Sequence, residues 1–168
     1  MTATLGLDLA SLDAAPLPAT LKGLPDSAVG LPLGRLGQLG LSVLADQLPL
    51  PVAVIRESAL RHNLEWMRDF TRRAGVSLCP HGKTTMAPQL FDRQLRAGCW
   101  GITAATASHV RTYRQFGVPR ILLANELLGR ANLDLVLEEL RADTALDFYL
   151  LVDSIHGLRE LEAALGRR

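Results

Sequence analysis

An α/β fold is predicted by three observations. From Pro49 onward, short β-branched or aliphatic runs alternate with amphipathic segments of helical period. Each strand-plus-helix unit takes roughly 20 to 30 residues, the spacing of βα units rather than hairpins. The short runs are apolar on both faces, as strands of a parallel sheet covered by helices must be.

The elements follow in order. A strand is expected over 52–55, then a helix opened by Glu57 or Ser58, with Leu60, Leu64, Met67 and Phe70 on one face and Gly75 at its end. A second strand over 76–79 leads into the turn Pro80-His81-Gly82-Lys83. A helix over 85–97 turns Met86, Leu90, Phe91 and Leu95 inward and stops at Gly98. A strand over 101–104, a helix over 108–116, a strand over 121–124 and a helix over 131–141 come next. A strand over 148–152 and a helix marked by Ile155, Leu158, Leu161 and Leu165 complete the series. Two architectures suit this order: an open doubly wound sheet and a (β/α)8 barrel. A complete barrel takes about 250 residues, so a length of 168 by itself favours the open sheet.

Residues 1–48 read as an irregular arm with at most short helical turns. They are rich in Leu, Gly and Pro and contain no aromatic residue, and prolines and glycines at this density break regular structure. Gly34, Gly37 and Gly40 do not have the spacing of a dinucleotide loop.

The composition narrows the function. A net charge of +1, from 18 basic and 17 acidic residues, gives no electrostatic footprint for nucleic acid or an anionic membrane. No apolar stretch approaches the ~20 residues of a membrane span, and without a basic n-region before a compact apolar run no secretory signal is expected. Two cysteines, Cys79 and Cys99, make no disulfide framework, so a cytoplasmic setting is expected. No His, Cys or carboxylate cluster has metal-ligand spacing, so no metal site is expected in this chain.

The turn after the second strand carries the chemistry. Gly82-Lys83-Thr84 has the end of a P-loop, but the position five residues before Gly82 is Ser77, not glycine. The other reading is that Lys83 is a nucleophilic amine. A partly desolvated lysine at a strand end can lose its proton and form an imine with a carbonyl. Arginine cannot, and Lys22 and Lys83 are the only lysines in a chain that otherwise uses arginine.

The run Leu78-Cys79-Pro80-His81-Gly82-Lys83-Thr84-Thr85, continuing through Ala97-Gly98-Cys99-Trp100-Gly101-Ile102-Thr103-Ala104-Ala105-Thr106, resembles the fold-type III pyridoxal phosphate enzymes. Within them it is most similar to the branch of D-serine dehydratase, D-threonine aldolase and amino acid deaminase. The segments 58–64, 121–126 and 150–154 fit the same pattern, so the resemblance spans about residues 49 to 160. It implies that 49–168 is the first half of an alanine racemase-like (β/α)8 barrel, incomplete in this chain, preceded by the arm.

It further implies that Lys83 binds pyridoxal 5'-phosphate covalently and is the catalytic base. The substrate would be a small D-amino acid, and the full-length enzyme would be a homodimer. The arm and the wording of the turn lean toward a D-serine deaminase-like β-elimination that gives a 2-oxo acid and ammonia. The alternatives are C–C cleavage of the aldolase type, or a non-catalytic remnant of the barrel. The phosphate-binding loops, the partner of the pyridine nitrogen and any zinc ligands would lie in the missing C-terminal part, so the chain alone is expected to be inactive.

The remaining candidates are weighed beside Lys83. His81 could stack on or hydrogen-bond the cofactor ring, and Asn125 falls at a strand end where barrel sites recruit residues; both are taken as cofactor-binding. Asp153 has a similar position, but Asp153-Ser154 suits an N-cap better. Thr84 and Thr85 are expected to cap the following helix. His62, His109 and His156 are expected at the surface, and the two cysteines in the core.

Overall fold

The computed structural model describes residues 6–166. The chain forms two compact units, one being Asp8–Asn63 and the other comprising the described parts of Met1–Leu7 and Leu64–Arg168.

In the first unit, helix α1 (Ala10–Ala14) is followed by 3-10 turns at Asp26–Ala28, Leu33–Leu39 and Val43–Ala45. Its order comes from a small antiparallel pairing between 15–17 and 30–33. The Leu17 N–H donates to the Leu31 carbonyl (2.9 Å), and Gly30 N–H to the Leu17 carbonyl (2.8 Å). Leu17 and Ala28 are buried there. The three spaced glycines fall in and just after the Leu33–Leu39 turn, with Gly40 as its left-handed cap. No strand forms over 52–55, where Val54 and Ile55 are mostly exposed. Among the described residues nothing pairs with that segment, and an unpaired strand leaves its backbone groups without partners.

Helix α2 (Glu57–Ala74) carries the boundary between the units at Asn63. It ends as predicted at Gly75 (φ 66°), with Val76 N–H bonded to the Thr71 carbonyl and Gly75 N–H to that of Arg72. That is a Schellman cap. The predicted strand over 76–79 is therefore displaced: Val76 still belongs to the cap and is exposed.

The second unit is built on a parallel sheet. Strands β1 (Ile102–Ala104), β2 (Arg120–Glu126) and β3 (Asp147–Leu151) lie in that order. Helix α3 (Pro88–Arg96) precedes β1. Helices α4 (Ala107–Gln115) and α5 (Arg130–Ala142) connect the strands, and α6 (Ile155–Leu165) follows β3. Residues 78–82 run alongside β1 as a fourth, imperfect strand. Trp100 N–H donates to the Leu78 carbonyl (2.8 Å), Thr103 N–H to that of Pro80 (2.8 Å) and Gly82 N–H to that of Thr103 (3.0 Å). His81 is the parallel partner of Thr103. Pro80 has no N–H to give, which interrupts the ladder.

One face of the sheet holds the core. Ile102, Ala104, Ile121 and Leu123 meet Phe91 of α3, Val110 and Tyr113 of α4, and Leu133 and Val136 of α5, all essentially inaccessible to solvent. Each of the Val, Leu, Ile and Phe side chains among them contributes about 1.5–3 kcal/mol by leaving water. The expectation that every strand is covered on both faces fails at β3, where Tyr149 and Leu151 are about half exposed while Phe148 and Leu150 pack on the core. In register, Leu122 lies beside Tyr149, and Arg120 beside Asp147. The uncovered face is thus apolar in its middle and closed at one end by the Arg120–Asp147 ion pair (2.7 Å). Arg120 also lies over the Trp100 ring, 4.7 Å from its centroid. That second face is therefore open at β3 and closed at β1, where Thr103 is buried.

Candidate functional site

The chemistry-bearing residues gather at the C-terminal edge of the sheet, where parallel strands hand over to helices. The Gly82 N–H is held by the Thr103 carbonyl, and the Gly82 carbonyl accepts the Met86 N–H (2.9 Å), which closes the turn around Lys83. Met86 takes a left-handed conformation (φ 45°), unusual for a non-glycine residue. Gly82 is buried, and a Cβ there would sit 2.6 Å from the Tyr113 hydroxyl, 2.9 Å from Ile102 and 2.9 Å from Phe91. No side chain other than hydrogen fits. The turn is therefore pressed onto the core, and Lys83 leaves it from a fixed root.

Lys83 itself is exposed. The desolvation anticipated for it is not supplied by the described residues. His81 is also exposed, level with Thr103. Asn125 sits in an irregularity of β2, where the register with β3 shifts between Leu123 and Glu126. Such a bulge re-aims side chains. Here the Asn125 amide donates to the Ala105 carbonyl (3.2 Å), just beyond the end of β1. The three predicted residues thus share one edge of the sheet: His81 and Lys83 at the end of the 78–82 segment, and Asn125 on β2, with β1 between them.

Other sequence-based assignments fare differently. Thr84 and Thr85 cap nothing: α3 starts from Ala87 without a side-chain cap, with Pro88 in its first turn, where a missing N–H costs little. Ser154 caps α6 by accepting the Gly157 N–H (3.1 Å), so the capping reading of Asp153-Ser154 holds. His62 and His156 are exposed. His109 is not a surface residue. It is half-buried, its Nδ1 accepts the Ala105 N–H (3.3 Å), and its ring stacks on Tyr113. The available signal was its place in the first turn of a helix that opens directly at a strand end, with Tyr113 one turn on.

Cys79 and Cys99 are free and half-buried. Burial pushes both thiols up, Cys99 to about 11, so both are neutral at physiological pH. Among the described residues no group of three His, Cys, Asp or Glu side chains converges as metal ligands, and no helix is long and apolar enough to cross a membrane.

Tyr113 ties the turn to the strand. Its hydroxyl donates to the Thr103 carbonyl (3.3 Å), and its ring meets Phe91 edge-on at 5.0 Å. Burial pushes its phenol up to about 12 from an ordinary 10. The unfolded chain then loses this proton first, so stability is complete below pH 10 and declines as pH rises toward 12. The expected loss is on the order of 2–3 kcal/mol. Urea unfolding between pH 9 and 12 measures it, and Tyr113→Phe is expected to flatten that part of the profile.

No family model matches the chain. A D-threonine aldolase of Arthrobacter sp. is 29% identical over 115 residues, which are 68% of this chain and 30% of that protein. The crystal structure of D-threonine aldolase from Filomicrobium marinum superposes with a TM-score of 0.65 at 23% identity, covering 90% of this chain and 34% of that one. A histidine-to-alanine mutant of D-threo-3-hydroxyaspartate dehydratase gives 0.64 at 31% identity, over 71% of this chain and 30% of the dehydratase. A cysteine-to-alanine mutant of the same enzyme, in its metal-free form, gives 0.62 at 31% identity, covering 71% and 31%. The chain spans about a third of the length of the relatives it matches. The chain thus resembles part of the barrel of fold-type III enzymes, in the D-threonine aldolase and D-threo-3-hydroxyaspartate dehydratase branch.

Proposed function

We propose that the chain is the lysine-bearing part of a pyridoxal phosphate-dependent lyase acting on β-hydroxy-D-amino acids, with Lys83 as the residue that carries the cofactor. The observation that carries this reading is the placement of an exposed primary amine on a turn rooted by Gly82, beside the end of β1 in a parallel sheet. The donor set fits the cofactor: an amine for covalent attachment at Lys83, an imidazole at His81 for its ring, and the Asn125 amide on the same edge. When bound, the cofactor supplies an electron sink for the substrate carbon. The chain's own contribution is to hold Lys83 where its freed amine can take a proton from the substrate α-carbon.

The substrate class follows from the relatives: threonine and 3-hydroxyaspartate both carry a β-hydroxyl, and both relatives are named for the D-series. Loss of that hydroxyl as water, followed by hydrolysis of the resulting enamine, gives a 2-oxo acid and ammonia, and cleavage of the Cα–Cβ bond gives an aldehyde and glycine. The deaminase-like outcome remains our preference from the wording of the turn. The bland surface around Lys83 favours completion of the reaction by barrel strands beyond those described, so the isolated chain is expected to bind the cofactor without sustained turnover.

The test uses the second lysine as its control. The chain is incubated with pyridoxal phosphate, reduced with borohydride and mapped by mass spectrometry. Lys83 is expected to be labelled about tenfold more than Lys22, which is also exposed. Equal labelling of the two would overturn the assignment.

A further inference from the structure

We propose that His109 is a positioning residue for this site, one that locks the Lys83 turn and Asn125 to the same strand end; the inference rests on the Lys83 reading above. Ala105, just past β1, is held at both of its backbone polar groups. Its N–H donates to His109 Nδ1 (3.3 Å), and its carbonyl accepts the Asn125 amide (3.2 Å). The imidazole also stacks on Tyr113, with ring centroids 6.2 Å apart and planes 23° from parallel. The Tyr113 hydroxyl and the Gly82 N–H share one acceptor, the Thr103 carbonyl, at 3.3 and 3.0 Å.

His109 therefore touches both arms of the site. One runs through Ala105 to Asn125, and the other through Tyr113 and Thr103 to Gly82 and Lys83. A backbone N–H can only donate, so Nδ1 serves as acceptor and the neutral ring carries its proton on Nε2. The helix puts it there: the Thr106 side chain accepts the His109 N–H, so His109 lies in the first turn of α4 and folds back over the strand it has just left. A residue that only filled space here would need the ring and not the acceptor nitrogen.

The experiment separates those two roles in the full 168-residue chain. His109→Phe keeps a ring to stack and removes the acceptor; His109→Gln restores an acceptor oxygen. Three quantities are read: amide exchange of Ala105 against that of Ile121 in the core, the urea midpoint, and the rate of borohydride-trapped labelling at Lys83. With His109→Phe, Ala105 exchange is expected to rise and Lys83 labelling to fall, each on the order of five- to tenfold, the scale of one hydrogen bond. Ile121 exchange is expected to hold, and His109→Gln to recover at least half of both effects. An unaltered labelling rate in His109→Phe, with the unsubstituted chain labelled at Lys83, overturns this inference alone. So does a loss that follows Ile121 exchange and the urea midpoint, or one that His109→Gln fails to repair. Absence of Lys83 labelling in the unsubstituted chain overturns the Lys83 reading, and this inference with it.

Discussion

Gly82→Ala is expected to destabilise the second unit by about 3 kcal/mol, the upper part of the range for overpacking a filled core. The added methyl would meet the Tyr113 hydroxyl at 2.6 Å and two carbons, of Ile102 and Phe91, at 2.9 Å. Two of the three belong to aromatic rings wedged edge-on against each other and fully buried, so neither has a free rotamer to move into. The third sits on β1 itself. Relief can come only by lifting the turn, which breaks the Gly82–Thr103 hydrogen bond and moves Lys83 off its strand end. The urea midpoint is expected to drop with its slope unchanged, and Lys83 labelling to fall with it. Gly37→Ala is the control: nothing lies within 4 Å of its Cβ position, so a change within about 0.5 kcal/mol is expected. Equal midpoints for the two variants would refute the account of the turn.

Lys83→Arg is expected to abolish cofactor attachment while leaving the fold alone. Arginine keeps the positive charge and the exposed position, but its guanidinium does not form an imine with an aldehyde. Among the described residues Lys83 has no hydrogen-bond or ion-pair partner whose loss could destabilise the chain, so the urea midpoint is expected to shift by less than about 0.5 kcal/mol. Lys22→Arg is expected to leave the visible band of the lysine-bound cofactor in place. A band that survives Lys83→Arg, or one lost with Lys22→Arg, would place the attachment elsewhere.

Much of the second unit was legible before any coordinates. The helices ending at Gly75 and Gly117 announced themselves by apolar period and by a glycine at the stop, and α2 and α4 follow that pattern. Strands β2 and β3 contain the predicted 121–124 and most of 148–152, because aliphatic runs bounded by turns have few other uses. The segment 52–55 had the same local look and became no strand, and the pairing expected over 76–79 is displaced to 78–82, since pairing is decided by what lies alongside. Thr84 and Thr85 misled for a similar reason: a capping residue is defined by where the helix starts, and Pro88 set that start later. His109 was unreadable as part of the site because its partners, Ala105 and Tyr113, define its role only once α4 folds back on β1.

The sequence by itself determined the alternation of strands and helices, the stops at glycines, and the choice of Lys83 as the amine worth following in an arginine-rich chain. These are local properties, set by side-chain period, backbone freedom and the chemistry of one functional group. The tertiary structure alone decided that Gly82 must be glycine, that Asn125 and His109 hold the two backbone groups of one residue, and that the sheet is left open on one face at β3. Each of those depends on atoms far apart in the chain arriving at the same place, where hard-core repulsion and unpaired hydrogen-bonding groups leave few arrangements open.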